Sequence, residues 1–351
     1  MIKTIKYFLK KRRLFLLVLT GIVFAITAIS LNDGHYIRDY YNTVTQEYDL
    51  IGPTDAPFII PTVVAALLAI FIPIYEMRFK MNKVVVDQVY SLPVKREKYY
   101  LAKYIIGLIE ILVPVLVSSL LSLLNLFFAE HLFNLWYFIP YLLVLILYAT
   151  AVYTIYCFFF TRGNTTIDGI INMGFSTFFV TMLLIVIESI TKKYFIGVGT
   201  GNYILFIPFI SVFNIFNSLM QKDALSAIGQ AIRPITIESF LPIIVNVGIG
   251  IIALVLYIIL NKKEKAENAT QQSNSWFCYK FFVPAYFFMI TLVYFIGLNT
   301  IDTLVYILIL GYLGYVVYRR SVKVKKVDLI VLGVCTVVAL ILGNFIFEIH
   351  H

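Results

Sequence analysis

Long apolar runs alternate with short polar stretches along the whole chain, and most of the runs have membrane-crossing length. A bilayer-spanning helix needs roughly 20 mostly apolar residues. About nine runs meet that requirement, counted with their charged borders. They cover Leu14 to Leu31, Pro57 to Tyr75, Tyr104 to Phe128, Trp136 to Phe160, Gly169 to Ile190, Phe240 to Leu260, Phe281 to Leu298, Ile301 to Tyr318 and Leu329 to Phe347. The pattern predicts an all-α fold, a polytopic transmembrane helix bundle. The basic start from Met1 to Arg13 resembles that of a signal peptide, but the following run exceeds the usual apolar core of a removable signal and is read as a retained first span.

Three stretches depart from the simple alternation. Between the fifth and sixth runs, Tyr203 to Phe213 is too short to span and is broken by Pro208. Residues near 203–219 therefore read as a re-entrant segment. From Asn261 to Ser275 the chain is polar and amide-rich, which predicts a linker. The expected organisation is thus a core over 1–260, a cytoplasmic linker over 261–280 and additional transmembrane spans over 281–351. Lys83 to Leu92 mixes apolar and polar residues at helical spacing, with Val85, Val89 and Leu92 on one face. Pro93 ends that helix, and a second begins near Lys95.

Composition supports lipid as the main solvent: 61% of the 351 residues are hydrophobic and only 13% charged, against about half and about a quarter in soluble domains. The net charge of +9 would suit nucleic acid only if the basic residues shared one soluble face. They are instead divided among the loops. With the amino terminus cytoplasmic, only Arg38, Lys192, Lys193, Lys222 and Arg233 of the 28 Lys and Arg fall outside, as the positive-inside rule requires. No nucleic-acid partner is expected, and the chain is placed in a bacterial cytoplasmic membrane.

Candidate chemistry is sparse. There is no Gly-x-Ser-x-Gly elbow, no paired-histidine helix and no phosphate loop ending in Gly-Lys-Ser/Thr. Gly197 to Gly201 reads as a flexible loop. Cys157, Cys278 and Cys335 are too scattered for a disulfide framework or a metal site, so no metal is expected. The acidic loop from Asp33 to Asp55 is explained by solvation near headgroups, with reception of a cationic substrate as the sharper alternative. Glu110 stands well inside the third run as a possible intramembrane polar site. It is either hydrogen-bonded within the bundle or involved in substrate passage or proton coupling.

The string Asp87-x-x-x-Ser91-Leu92-Pro93-Val94-Lys95-Arg96, followed by Lys103 and a span, resembles the region after the second span of ABC-2 type transporter permeases. The basic amino terminus and the run order resemble that family over about the first 260 residues; its usual pattern stops at six spans, so the last three runs are an extension of the kind some Gram-positive members carry. The resemblance implies a membrane-spanning permease subunit of an ABC exporter, with a second permease subunit and a cytosolic ABC ATPase as partners. ATP and Mg would then sit on the ATPase, and this chain would bind no cofactor and be no enzyme. Val85, Asp87, Val89, Ser91, Leu92, Pro93, Val94, Lys95 and Arg96 would form its coupling helix. A peptide or amphiphile is the expected cargo. A membrane-embedded transferase and a secondary transporter are the competing classes.

Overall fold

The computed structural model describes residues 2–32, 37–42, 47–53, 56–91, 94–128, 136, 138–191, 212, 241–262, 270–271, 275–297 and 301–350. The expected re-entrant segment, apart from Val212, and most of the polar stretch 261–275 lie outside these residues, as do Leu92 and Pro93. Helix α1 (Ile2–Asn32) leads to a hairpin, β1 (Ile37–Asn42) and β2 (Glu47–Pro53), and then to α2 (Ala56–Met77). A 3₁₀ turn, Arg78–Met81, is followed by α3 (Lys83–Tyr90), α4 (Arg96–Phe128), α5 (Phe138–Arg162) and α6 (Thr166–Thr191). The remainder comprises α7 (Leu241–Lys262), α8 (Tyr279–Gly297), α9 (Ile301–Arg319) and α10 (Lys326–His350).

Among the described residues, seven helices are long and apolar enough to cross a membrane: α1, α2, α4, α5, α7, α8 and α10. A shorter apolar helix, Leu304–Arg319, lies in α9. The chain is therefore a multi-pass membrane protein with a helical fold. The hairpin is the departure from an all-helical chain. Its strands pair antiparallel with Tyr40 opposite Asp49 and Tyr41 opposite Tyr48, and their aromatic and β-branched content suits extended backbone. The acidic loop between the first two runs is thus partly a β-ribbon.

The chain divides into two compact units. One joins Met1–Glu76, Pro93–Cys157 and Pro208–Lys263; the other joins Met77–Leu92, Phe158–Ile207 and Glu264–His351. One boundary between the units falls at Lys263/Glu264, close to the expected end of the core, but Met77–Leu92 and Phe158–Ile207, with α6, group with the carboxy-terminal helices. The reason is visible in the second unit. Asp168 of α6 accepts a hydrogen bond from the Tyr279 hydroxyl at 3.1 Å and pairs with Arg320 at 2.7 Å. Phe175 stacks on Phe282 at 5.5 Å, and Cys278 donates to Asn172 at 3.0 Å. Cys278 and Tyr279, at the end of the expected linker, are core residues. Arg319 clamps Asp328 through two hydrogen bonds of 2.8 and 2.7 Å across the α9–α10 turn, where Arg320 takes a positive φ of 51°.

In the first unit α4 packs against α1 and α7. The Thr27 and Ser118 hydroxyls meet at 3.0 Å between α1 and α4, the kind of polar contact that joins helices in lipid. Gly107 admits the Tyr153 ring so closely that a Cβ there would lie 2.1 Å from the hydroxyl oxygen. Gly250 does the same for α5, with Ala151 Cβ 2.9 Å away. By contrast, α1 and α10 leave large side chains such as Leu14, Leu17, Ile330 and Phe345 exposed, surfaces suited to acyl chains rather than water.

Candidate functional site

Two places in the molecule concentrate functional residues. The first is the connection between α2 and α4. Asn82 caps α3, its side-chain oxygen accepting from the Val84 and Val85 amides at 3.0 and 3.4 Å. Such a cap satisfies donors that the first helical turn leaves unpaired. The Ser91 amide donates to the Asp87 carbonyl, and the Ser91 hydroxyl to the Gln88 carbonyl at 2.8 Å. The helix is therefore defined at both ends by its own residues.

Only part of the expected apolar face of α3 is available. Val86 is 1% exposed, and Val85, Val89 and Tyr90 are half-buried, so they secure the helix inward. The outward face carries Val84, Asp87, Gln88 and Ser91, spaced i, i+3, i+4, i+7 along one side. Of the site residues named from sequence, Asp87 and Ser91 are thus presented, while Val85 and Val89 flank them. Val94 is half-buried and Lys95 and Arg96 are exposed. The Lys95 carbonyl accepts from the Lys98 and Tyr99 amides to start α4. Beside the start of α3, Arg78, Met81, Asn82, Lys83, Thr166 and Thr270 line a pocket.

The second place was marked in the sequence only by Glu110; its other members were not. Glu76, in the last turn of α2, is 1% exposed. Its carboxylate meets Lys103 of α4 at 2.8 Å and Arg12 of α1 at 3.0 Å. The Arg12 guanidinium also lies over the Tyr75 ring at 4.3 Å, and the Lys103 ammonium over Phe8 at 4.9 Å. The expectation that Lys and Arg stay in solvated loops therefore fails for these two. The helices run on past their apolar stretches, so basic flanks become helical and pack inward. Lys80 in the second unit behaves likewise, donating to the Thr161 carbonyl.

Glu110 lies near the middle of the 33-residue α4, two turns beyond Lys103 on the same face. It is 1% exposed, and neither carboxylate oxygen has a hydrogen-bond partner among the described residues. Its electrostatic neighbours are Glu76, Arg12 and Lys103. The sequence signal for this group was the seven-residue spacing of Lys103 and Glu110, with Glu76 and Arg12 at the ends of two neighbouring runs.

Cys157 and Cys278 are buried thiols outside any disulfide, and Cys335 is half-buried. No three His, Cys, Asp or Glu among the described residues are grouped to hold a metal ion. The fold and these two sites define a multi-pass membrane protein with a short capped helix and a buried charge cluster. No family model, curated protein or solved structure matches the chain.

Proposed function

We propose that this chain is the membrane-spanning permease subunit of an ATP-driven exporter of the ABC-2 type, with a cytosolic ATPase as its energy-supplying partner. The observation that carries the reading is α3, a short helix capped by its own residues between two apolar helices, in the stretch where the family resemblance lies. Its exposed face of Val84, Asp87, Gln88 and Ser91 is a surface for a groove on a partner. ATP binding would draw two ATPase subunits together, and α3 would transmit that motion into α4 of each permease subunit. In this reading the amino terminus and α3 are cytoplasmic, nine runs cross the membrane, and the pathway forms between two permease subunits.

Copurification of the ATPase with variants of the full chain tests the reading. Apolar anchors dominate such interfaces and rim charges contribute less. Val84→Asp is therefore expected to weaken ATPase retention about tenfold or more, and Lys95→Ala by less, with both variants reaching the membrane. Full retention and transport by Val84→Asp would remove α3 from the interface.

A further inference from the structure

The pocket beside the start of α3 has a volume of about 360 Å³, a size that takes a small ligand or a headgroup. Its described lining residues all belong to the second unit. Arg78 and Lys83 are cations that only donate hydrogen bonds, and the Thr166 and Thr270 hydroxyls can donate as well. The side-chain oxygen of Asn82 already accepts from the Val84 and Val85 amides, so its NH₂ group, a donor, is what remains. Among the described residues no carboxylate lines the pocket. Asp168, in the first turn of α6, is engaged by Arg320 at 2.7 Å and by the Tyr279 hydroxyl at 3.1 Å. The lining thus offers two positive charges and several donors, the complement of a ligand made of acceptors.

Two further observations bear on the ligand. Thr270 has a φ of 68°, a region that β-branched residues rarely adopt, and its amide donates to the Asn164 carbonyl at 3.0 Å. That bond fixes Thr270 beside the α5–α6 turn, and strained positions held in this way cluster at ligand sites. The pocket also lies where apolar stretches end: Arg78–Met81 closes the stretch Ile59–Met81, and Thr166 is the first residue of α6. Headgroup phosphates lie at the ends of membrane-crossing helices, and basic pockets between such helices take them.

We infer that this pocket binds a terminal phosphate group. A guanidinium pairs two phosphate oxygens at once and an ammonium adds a point charge, the parts assigned to Arg78 and Lys83. Thr166 and Thr270 donate to the remaining oxygen. A terminal phosphate carries nearly two negative charges at neutral pH, which the two cations match. None of these residues belongs to the outward face of α3, so the site stands or falls apart from ATPase docking.

The test uses the full chain in dodecylmaltoside micelles, acetylated by a water-soluble N-hydroxysuccinimide ester, with Lys83 and Lys323 modification quantified by mass spectrometry. Both lysines are exposed, and Lys323 is the internal control. Dioleoylphosphatidic acid and inorganic phosphate are titrated separately, beside zwitterionic dioleoylphosphatidylcholine. At ten times its apparent Kd, the bound phosphate is expected to slow Lys83 acetylation about tenfold and to leave Lys323 unchanged. Protection by phosphatidic acid at the lower concentration assigns the site to a lipid headgroup; protection by inorganic phosphate at equal or lower concentration assigns it to a free phosphate. Arg78 is exposed, and Arg78→Gln is expected to raise the apparent Kd about tenfold or more, as loss of a charge-assisted hydrogen bond implies. Protection of Lys83 by neither phosphate, equal protection by phosphatidylcholine, equal protection of Lys323, or an unchanged Kd in Arg78→Gln would overturn the site.

Discussion

Replacing Glu76 by Gln isolates what the buried charge cluster contributes. The side chain of Glu76 is fully buried, that of Lys103 is 9% exposed, and that of Arg12 is 20% exposed. Gln keeps the shape and one acceptor oxygen but removes the one carboxylate that Arg12 and Lys103 both contact. Breaking a buried pair by removing one partner costs about 3–5 kcal/mol. Arg12 retains some contact with solvent, and solvent screening lowers its share. The expected loss is therefore near the lower bound, about 3 kcal/mol, or roughly a hundredfold in the unfolding equilibrium. Removing all three charges at once, with Glu76→Leu, Arg12→Met and Lys103→Met, should bring stability back to within about 1 kcal/mol of the native chain, because an apolar replacement of similar volume avoids the desolvation cost. The assay is reversible denaturation in mixed micelles followed by far-ultraviolet circular dichroism. If Glu76→Gln unfolds like the native chain, the cluster is effectively solvated and the reasoning fails. If the triple variant is as unstable as the single one, Glu76 acts through packing rather than charge.

Two further outcomes follow from the geometry. Gly107→Ala would place a Cβ 2.1 Å from the Tyr153 hydroxyl oxygen and 3.1 Å from Ile72. The same denaturation assay should show a loss of about 1–3 kcal/mol, part of which is recovered by adding Tyr153→Phe. For orientation, a membrane-impermeant thiol reagent added outside whole cells should modify Glu47→Cys and spare Glu267→Cys; the reverse pattern would invert the proposed topology. The native thiols at Cys157 and Cys278 are buried and give little background.

Hydrophobic run length carries most of the helical architecture, because nothing but helices and closed barrels satisfies backbone groups in lipid. Each apolar run consequently has most of its length in one helix. Where the sequence misleads, side chains from distant parts of the chain decide the outcome. Residues 261–280 read as linker because their polarity is local. Yet Cys278 and Tyr279 are drawn into the core by Asn172 and Asp168, more than a hundred residues earlier, and no local pattern contains that information. The face of α3 illustrates the same limit on a smaller scale. Val84, Val85, Val86 and Val89 are chemically alike, so periodicity supplies the helix but not the side that faces inward, which is that of Val86. Charge is legible in a different way. A count of basic residues treats Arg12 and Lys103 only as markers of orientation, whereas Glu76 turns both into a buried network because their helices continue inward beyond the apolar stretches. That network holds both nearby cations away from Glu110. The Glu110 carboxylate left without a hydrogen-bond partner among the described residues is thus a consequence of three helices meeting, which no single apolar run reveals.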